Sequence, residues 1–135
     1  MLKTLTTILG LAVATPGLTQ GLSDPSDLTI APLSADTFEV IEGQGAGARG
    51  LWCAAADHAR DALNPAHGAR LYVVTPRGPS QAVPGRTAVT FSLSPQDTVP
   101  RQTVIAALST YQAGSTLSVS HALSLCAGQR VPGSL

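Results

Sequence analysis

Few residues in this 135-residue chain have chemical reach, and the two cysteines, Cys53 and Cys126, come first. A thiol becomes a nucleophile or redox centre when its surroundings favour the thiolate, and Cys53 falls near the start of an expected helix, which would do so. No Cys-x-x-Cys spacing sets a resolving thiol beside it, so the simpler chemistry is a structural Cys53–Cys126 disulfide. In the chain-entropy account a bond closing a loop of this length is worth about 4 kcal/mol. Gly45-Ala46-Gly47-Ala48-Arg49-Gly50 matches G-x-G-x-x-G between an expected strand and an expected helix, where glycines would let a pyrophosphate approach the helix N-terminus. Three features weigh against that reading. The preceding strand carries Glu39 and Glu42, whereas a buried parallel strand is continuously apolar. No acid follows the next strand at Thr75-Pro76-Arg77 to hold a ribose, and there is room for one βαβ unit at most. The expectation is a loop whose glycines permit positive φ. An anion at the helix start, beside Arg49, is the weaker alternative.

His58, His67 and His121 carry ligating rings, but no two stand at the i, i+4 spacing of a zinc helix. Asp57, Asp61, His121 and many serines supply the residue types of a hydrolytic triad without a G-x-S-x-G elbow. Neither a catalytic residue, a metal ligand nor a cofactor is assigned on these grounds. Arg77, Arg86 and Arg101 flank expected hairpin loops. With Gly78 nearby, Arg77, Ser80 and Arg86 offer donors suited to a carboxylate or phosphate and form the candidate anion- or ligand-binding surface. Trp52 lies on an apolar helix face and is expected in the core.

The elements that must position these groups begin after a leader. Lys3 is the only lysine, and an uncharged stretch from Thr4 to Ala14 leads to Pro16 and the small-residue site Gly17-Leu18-Thr19. This pattern predicts an export signal over residues 1–19. A site at Ala12-Val13-Ala14 competes but leaves a very short leader. The apolar stretch falls well short of the roughly 20 residues that span a membrane. Without the leader, seven arginines stand against eight acids. Only 12% of the full chain is charged, about half the usual share. No basic stripe exists to neutralise phosphates, which excludes nucleic acid as an electrostatic partner. The 44% hydrophobic content includes 20 alanines, so the core is modest.

Residues 20–35, rich in Ser, Asp, Pro and Thr, read as a flexible N-terminal arm. Thr37–Glu42 alternates as a strand. Leu51–Leu63 is an Ala-rich helix with Trp52, Ala56, Ala59 and Leu63 on one face and Asp57, His58, Arg60 and Asp61 on the wet side. Asn64-Pro65 ends it. Ala69–Thr75 and Arg86–Leu93 are strands, paired as a long-looped hairpin whose polar loop begins at Arg77. Thr103–Leu108 fits a helix or a strand. Leu117–Val119 is a strand, and Ser120–Cys126 either continues it or begins a helix capped by Ser120. The expected fold is α+β: one helix packed on a small, mainly antiparallel sheet of about four strands, stapled by one disulfide, over residues 36–127. Residues 128–135 are expected to form a flexible tail.

Four strings in order along the chain carry a resemblance. They are Phe38-Glu39-Val40-Ile41, then Trp52-Cys53-Ala54-Ala55-Ala56, then Arg70-Leu71-Tyr72-Val73-Val74 with Arg77-Gly78-Pro79-Ser80, and Leu117-Ser118-Val119 ahead of Cys126. The pattern resembles small exported alphaproteobacterial proteins of unassigned function, over about residues 36–127. It implies export and the disulfide, and it implies no activity. The expected function is a periplasmic or extracellular, non-catalytic binding or interaction module without a membrane span. Its partner would be an envelope protein or a small anionic ligand. The alternative is a small exported enzyme or anionic-ligand binder that uses the arginine-rich hairpin loops.

Overall fold

Alternating side chains at residues 37–41 and 87–92 build two neighbouring strands of one sheet, β2 (Thr37–Ile41) and β4 (Thr87–Ser92). They pair antiparallel and place Phe38 opposite Phe91. The computed structural model describes residues 28–43, 47–97, 101–102 and 109–128. The expected leader, the start of the arm, the 103–108 segment and residues 129–135 of the tail lie outside them.

The sheet has six strands rather than about four. The others are β1 (Thr29–Pro32), β3 (Arg70–Pro79), β5 (Arg101–Gln102) and β6 (Ser115–Ser118). Their order is β1-β2-β4-β3-β6-β5, antiparallel throughout except for the β5–β6 pair. The end of the stretch read as a flexible arm is therefore a strand. β1 runs antiparallel along β2 with Ile30 opposite Val40, and Ile30 packs against the core. Composition hid this strand, because Pro32 and the serines after it signal a break. At the end of an edge strand the missing N–H of a proline is harmless.

One helix covers the sheet. α1 (Gly47–His58) continues through a π-helical turn, Ala59–Leu63, and stops where Asn64 turns left-handed at φ 44° before Pro65. It starts four residues earlier than the expected Leu51. The predicted face is the buried one: Trp52, Ala56 and Ala59 are fully enclosed, joined by Leu51 and Ala55. The small alanine side chains let α1 approach the sheet closely. Opposite them stand Phe38 and Val40 of β2, Leu71 and Val73 of β3, Val89 and Phe91 of β4, and Leu117 of β6. Each pair is spaced by two, as one face of a pleated sheet requires. Trp52 meets Phe91 edge-on with ring centroids 4.9 Å apart, and Phe91 lies 6.2 Å from Phe38. The indole Nε1–H is buried with no hydrogen-bond partner among the described residues. His58, expected on the wet side, is half-buried with its ring 4.5 Å from Phe38. Burial holds its pKa below the usual histidine value.

Two strands depart from their expected form. β4 was expected to be half-buried, yet Ala88, Thr90 and Ser92 are buried as fully as Val89 and Phe91. The second face of the sheet is thus covered along β4, although Tyr72 and Val74 on the same face of β3 stay partly exposed. β3 does not stop at Thr75 but runs to Pro79 against β4, and the loop begins at Ser80 rather than Arg77. Register shifts between Val73 and Thr75 and between Thr75 and Gly78 absorb the extra residues. Bulges of this kind are where a strand tolerates proline, and they accommodate Pro76.

After β6 the chain turns into α2 (Val119–Ser124) and a 3₁₀ turn, Leu125–Gly128. The ambiguous 120–126 segment is therefore helical. Its cap is Ser118 rather than the expected Ser120: the Ser118 backbone is still extended, and its Oγ accepts the His121 N–H at 3.1 Å. Cys53 and Cys126 form the disulfide, with their Cα atoms 5.0 Å apart, and tie α1 to the final turn. The two candidate caps separate cleanly by mutation. Ser118→Ala should lower unfolding stability by about 0.5–2 kcal/mol, whereas the exposed Ser120→Ala should stay within about 0.5 kcal/mol of the parent. Urea denaturation of the oxidised proteins measures both.

Candidate functional site

The bulges in β3 turn Arg77 away from the regular ladder. Its backbone N–H donates to the Thr110 carbonyl at 2.7 Å, and its guanidinium swings toward the end of β2. There it forks onto Glu42, Nε donating to Oε1 at 2.6 Å and Nη2 to Oε2 at 2.7 Å. Such a two-pronged contact fixes the orientation of both groups. Arg86 Nη2 donates to the Glu42 carbonyl at 2.7 Å, so a second arginine fastens the same residue through its backbone. The Glu42 carboxylate, and to a lesser degree the Tyr111 side chain, hold the Arg77 guanidinium more firmly protonated than usual.

This ion pair lines a cleft of about 250 Å³. Glu42, Gly43, Arg77, Thr110 and Tyr111 line it together with Gly47, Ala48 and Leu51 of α1, and the buried Leu51 gives it an apolar floor. Leu51 and Thr110 are buried, whereas Tyr111 is 67% exposed, the most exposed of the large hydrophobic residues described. The cleft therefore combines a two-pronged charge pair, an apolar floor and an exposed aromatic ring. Tyrosine supplies large contact area with few torsions to freeze.

Ser80 goes elsewhere. Glu39 alternates with Phe38 and Val40, so it faces away from α1 and is buried on the second face of the sheet. The loop after β3 folds over it. Ser80 Oγ donates to Oε2 at 2.7 Å, Gln81 N–H to Oε1 at 2.7 Å and Ala82 N–H to Oε2 at 3.1 Å. Burial alone would raise the Glu39 pKa, but these three hydrogen bonds outweigh it and hold the carboxyl below its ordinary 4.5. Ser80 Oγ also accepts from the Ala82 and Val83 N–H groups, which closes the loop on itself.

Of the surface read from the sequence, Arg77 and Arg86 do come together, on Glu42, while Ser80 is bound to Glu39. Arg101 lies in β5. Of the donors predicted to meet an external anion, Arg77 and Ser80 meet this chain's own carboxylates and Arg86 meets the Glu42 backbone carbonyl. Sequence reasoning used Glu39 and Glu42 only to argue against a nucleotide fold and missed both as partners. The available signal was two acids, three residues apart, in a strand otherwise fit for burial. Tyr111 carried no signal at all. Gly47, from the glycine-rich string, opens α1 at φ +62°. β2 pairs with β1 and β4, antiparallel to both, so the parallel neighbours a dinucleotide fold needs do not flank α1. Among the described residues, the three-residue cluster with metal-ligating atoms is Cys53, Asp57 and Cys126, with no histidine in it.

No protein-family model, curated protein or solved structure matches this chain. Among the described residues, no helix is long and apolar enough to cross a membrane.

The Glu39 site makes a prediction about pH. Its folded pKa lies below the unfolded one, so its stabilising contribution is complete above about pH 4.5 and is lost as pH falls through the lowered folded value. Glu39→Gln, which sets an amide N–H₂ against donors, should cost about 1–3 kcal/mol at pH 7. That gap should narrow as pH drops from 5 to 3. Denaturation midpoints of parent and variant across this range test it, and a constant gap would show that ionisation of Glu39 contributes nothing.

Proposed function

We propose that this chain is an exported, non-catalytic binding module. It acts in the periplasm or outside the cell once residues 1–19 are removed, and the Glu42–Arg77–Tyr111 cleft is its recognition surface for a partner protein of the envelope. The cleft carries the reading. Its charged side chains are committed to each other, so the Glu42 carboxylate is poorly placed to take a proton from a substrate. The exposed part is an aromatic ring beside a fixed ion pair, the combination that anchors protein interfaces. The Cys53–Cys126 bond supports export, since such bonds persist in oxidising compartments, and the leader pattern supports it independently. A small anion held by Arg77, Ser80 and Arg86 has less support, because Arg77 is already neutralised and Ser80 already donates to Glu39.

A photo-crosslinking residue placed at position 111 of the exported protein should give one discrete adduct with an envelope protein. The same residue at the exposed position 62, on the π-helical turn, should not. Tyr111→Ala and Arg77→Ala should each weaken the captured complex by about tenfold or more. Tyr111→Ala should leave the melting temperature nearly unchanged, whereas Arg77→Ala should lower it, because the Glu42 carboxylate, 14% exposed, loses its partner. N-terminal sequencing of the same preparation should begin at Gln20. Identical adducts from both positions would defeat the interface, and Met1 retained on a cytoplasmic product would defeat export.

A further inference from the structure

We propose that Cys53, Asp57 and Cys126 form a binding site for a zinc-class divalent ion when the disulfide is reduced. Cys53 and Asp57 are four residues apart on α1, so their side chains share one face a single turn apart. Cys126 reaches the same spot from the turn after α2. The two sulfurs and one carboxylate oxygen all lie within 4.8 Å of one another. A tetrahedral zinc, with Zn–S about 2.3 Å and Zn–O about 2.1 Å, wants its ligand atoms roughly 3.5–3.8 Å apart. Opening the S–S bond lets the sulfurs rotate outward toward that separation, and the Asp57 carboxylate, within 4.8 Å of both, reaches it by a small side-chain rotation.

The surroundings suit an ion of this kind. Cys53 is only 9% exposed, while Cys126 and Asp57 are half-buried, so three protein ligands stand at a wall that leaves the fourth position to water. Two thiolates select zinc or cadmium over magnesium or calcium. Two thiolates and a carboxylate carry one negative charge more than the ion neutralises. The Arg60 guanidinium, 2.8 Å from Asp57 Oδ1, orients that carboxylate and shares its charge between Asp57 and Asp61, whose Oδ1 accepts from Arg60 Nε at 2.8 Å. The histidines, which by residue type are the obvious ligands, take no part.

The chemistry balances without a cofactor. A dithiol or phosphine reductant gives two electrons and, with two protons from water, converts the disulfide to two thiols. Metal binding then releases both thiol protons to solvent. A disulfide oxidant takes up those two electrons by thiol–disulfide exchange, leaves as two thiols with protons from solvent, re-forms the Cys53–Cys126 bond and expels the ion, so bond and metal exclude each other.

The test uses the full domain, reduced with a phosphine under anaerobic, metal-free conditions and titrated with Cd²⁺. Thiolate-to-cadmium absorption, competition with a chromophoric chelator and circular dichroism are followed together. One Cd²⁺ should bind per reduced chain, and a reduced chain that has lost helix should regain it on binding. The oxidised parent should bind none at this site, and Cys126→Ser should lose the absorption band. Asp57→Asn should bind at least about tenfold more weakly, while its oxidised form keeps the parent's melting temperature, because the exposed Asp57–Arg60 pair adds little stability. The proposal is overturned if the reduced chain, folded or unfolded, shows no charge-transfer band at equimolar Cd²⁺. Equal affinity in Asp57→Asn, or equal binding by the oxidised parent, overturns it as well.

Discussion

Trp52 is the side chain on which the position of α1 depends. The chain has one tryptophan and two phenylalanines, and all three meet where α1 crosses β2 and β4. Most of the remaining buried residues of α1 and its π-helical turn are small, Gly50, Ala55, Ala56 and Ala59, which permits close approach but removes little surface from water. A buried aromatic ring removes about 150–250 Å², worth about 4–6 kcal/mol at 25 cal/mol per Å² as an upper bound. Two further features inherit their geometry from this contact. Cys53 is the residue after Trp52, so seating the indole brings its sulfur to Cys126. Leu51 is the residue before it, so the same seating sets the floor of the cleft beside Arg77.

Much of this arrangement was legible because it is written in local periodicity. The Trp52-Ala56-Ala59 face, the strands around Phe38 and Phe91, and the hairpin that joins β3 to β4 all follow from spacing and alternation. What stayed hidden depends on partners distant in sequence. β1 is short and bounded by breakers, and it exists because β2 offers a free edge. β3 outlasts Pro76 because two bulges let β4 follow it. The burial of both faces of β4 could not be read from Ala88, Thr90 and Ser92, whose types suit a solvated face equally well. The cap at Ser118 rather than Ser120 follows from where β6 releases the chain, and that is set by pairing with β3.

The candidate site shows the same division. Arg77 and Arg86 stood out in the sequence as isolated cations near turns, and they do converge. Their object is Glu42, 35 residues from Arg77 along the chain, and sequence spacing cannot announce such a pair. Low overall charge made the arginines conspicuous and hid the fact that Arg77 is matched by an acid while Arg86 is held by a backbone carbonyl. Glu39 shows how a strand can hold a buried acid: the loop from Ser80 to Ala82 supplies the hydrogen bonds that water would otherwise give.

The strand order also governs how quickly such a chain finds its fold. β2 finds its β4 partner only after α1 and β3 have been made, and β3 gains β6 only after β4 and β5. Three of the five pairings join strands consecutive in the chain, but the β2–β4 and β3–β6 pairings that knit them into one sheet do not, so for these two the entropy of closing long loops falls ahead of the contacts that reward it. Such topologies fold in milliseconds to seconds rather than microseconds. When the oxidised chain refolds with the Cys53–Cys126 bond intact, that link shortens the loops to be closed, so the bond acts on the rate of refolding as well as on its end point.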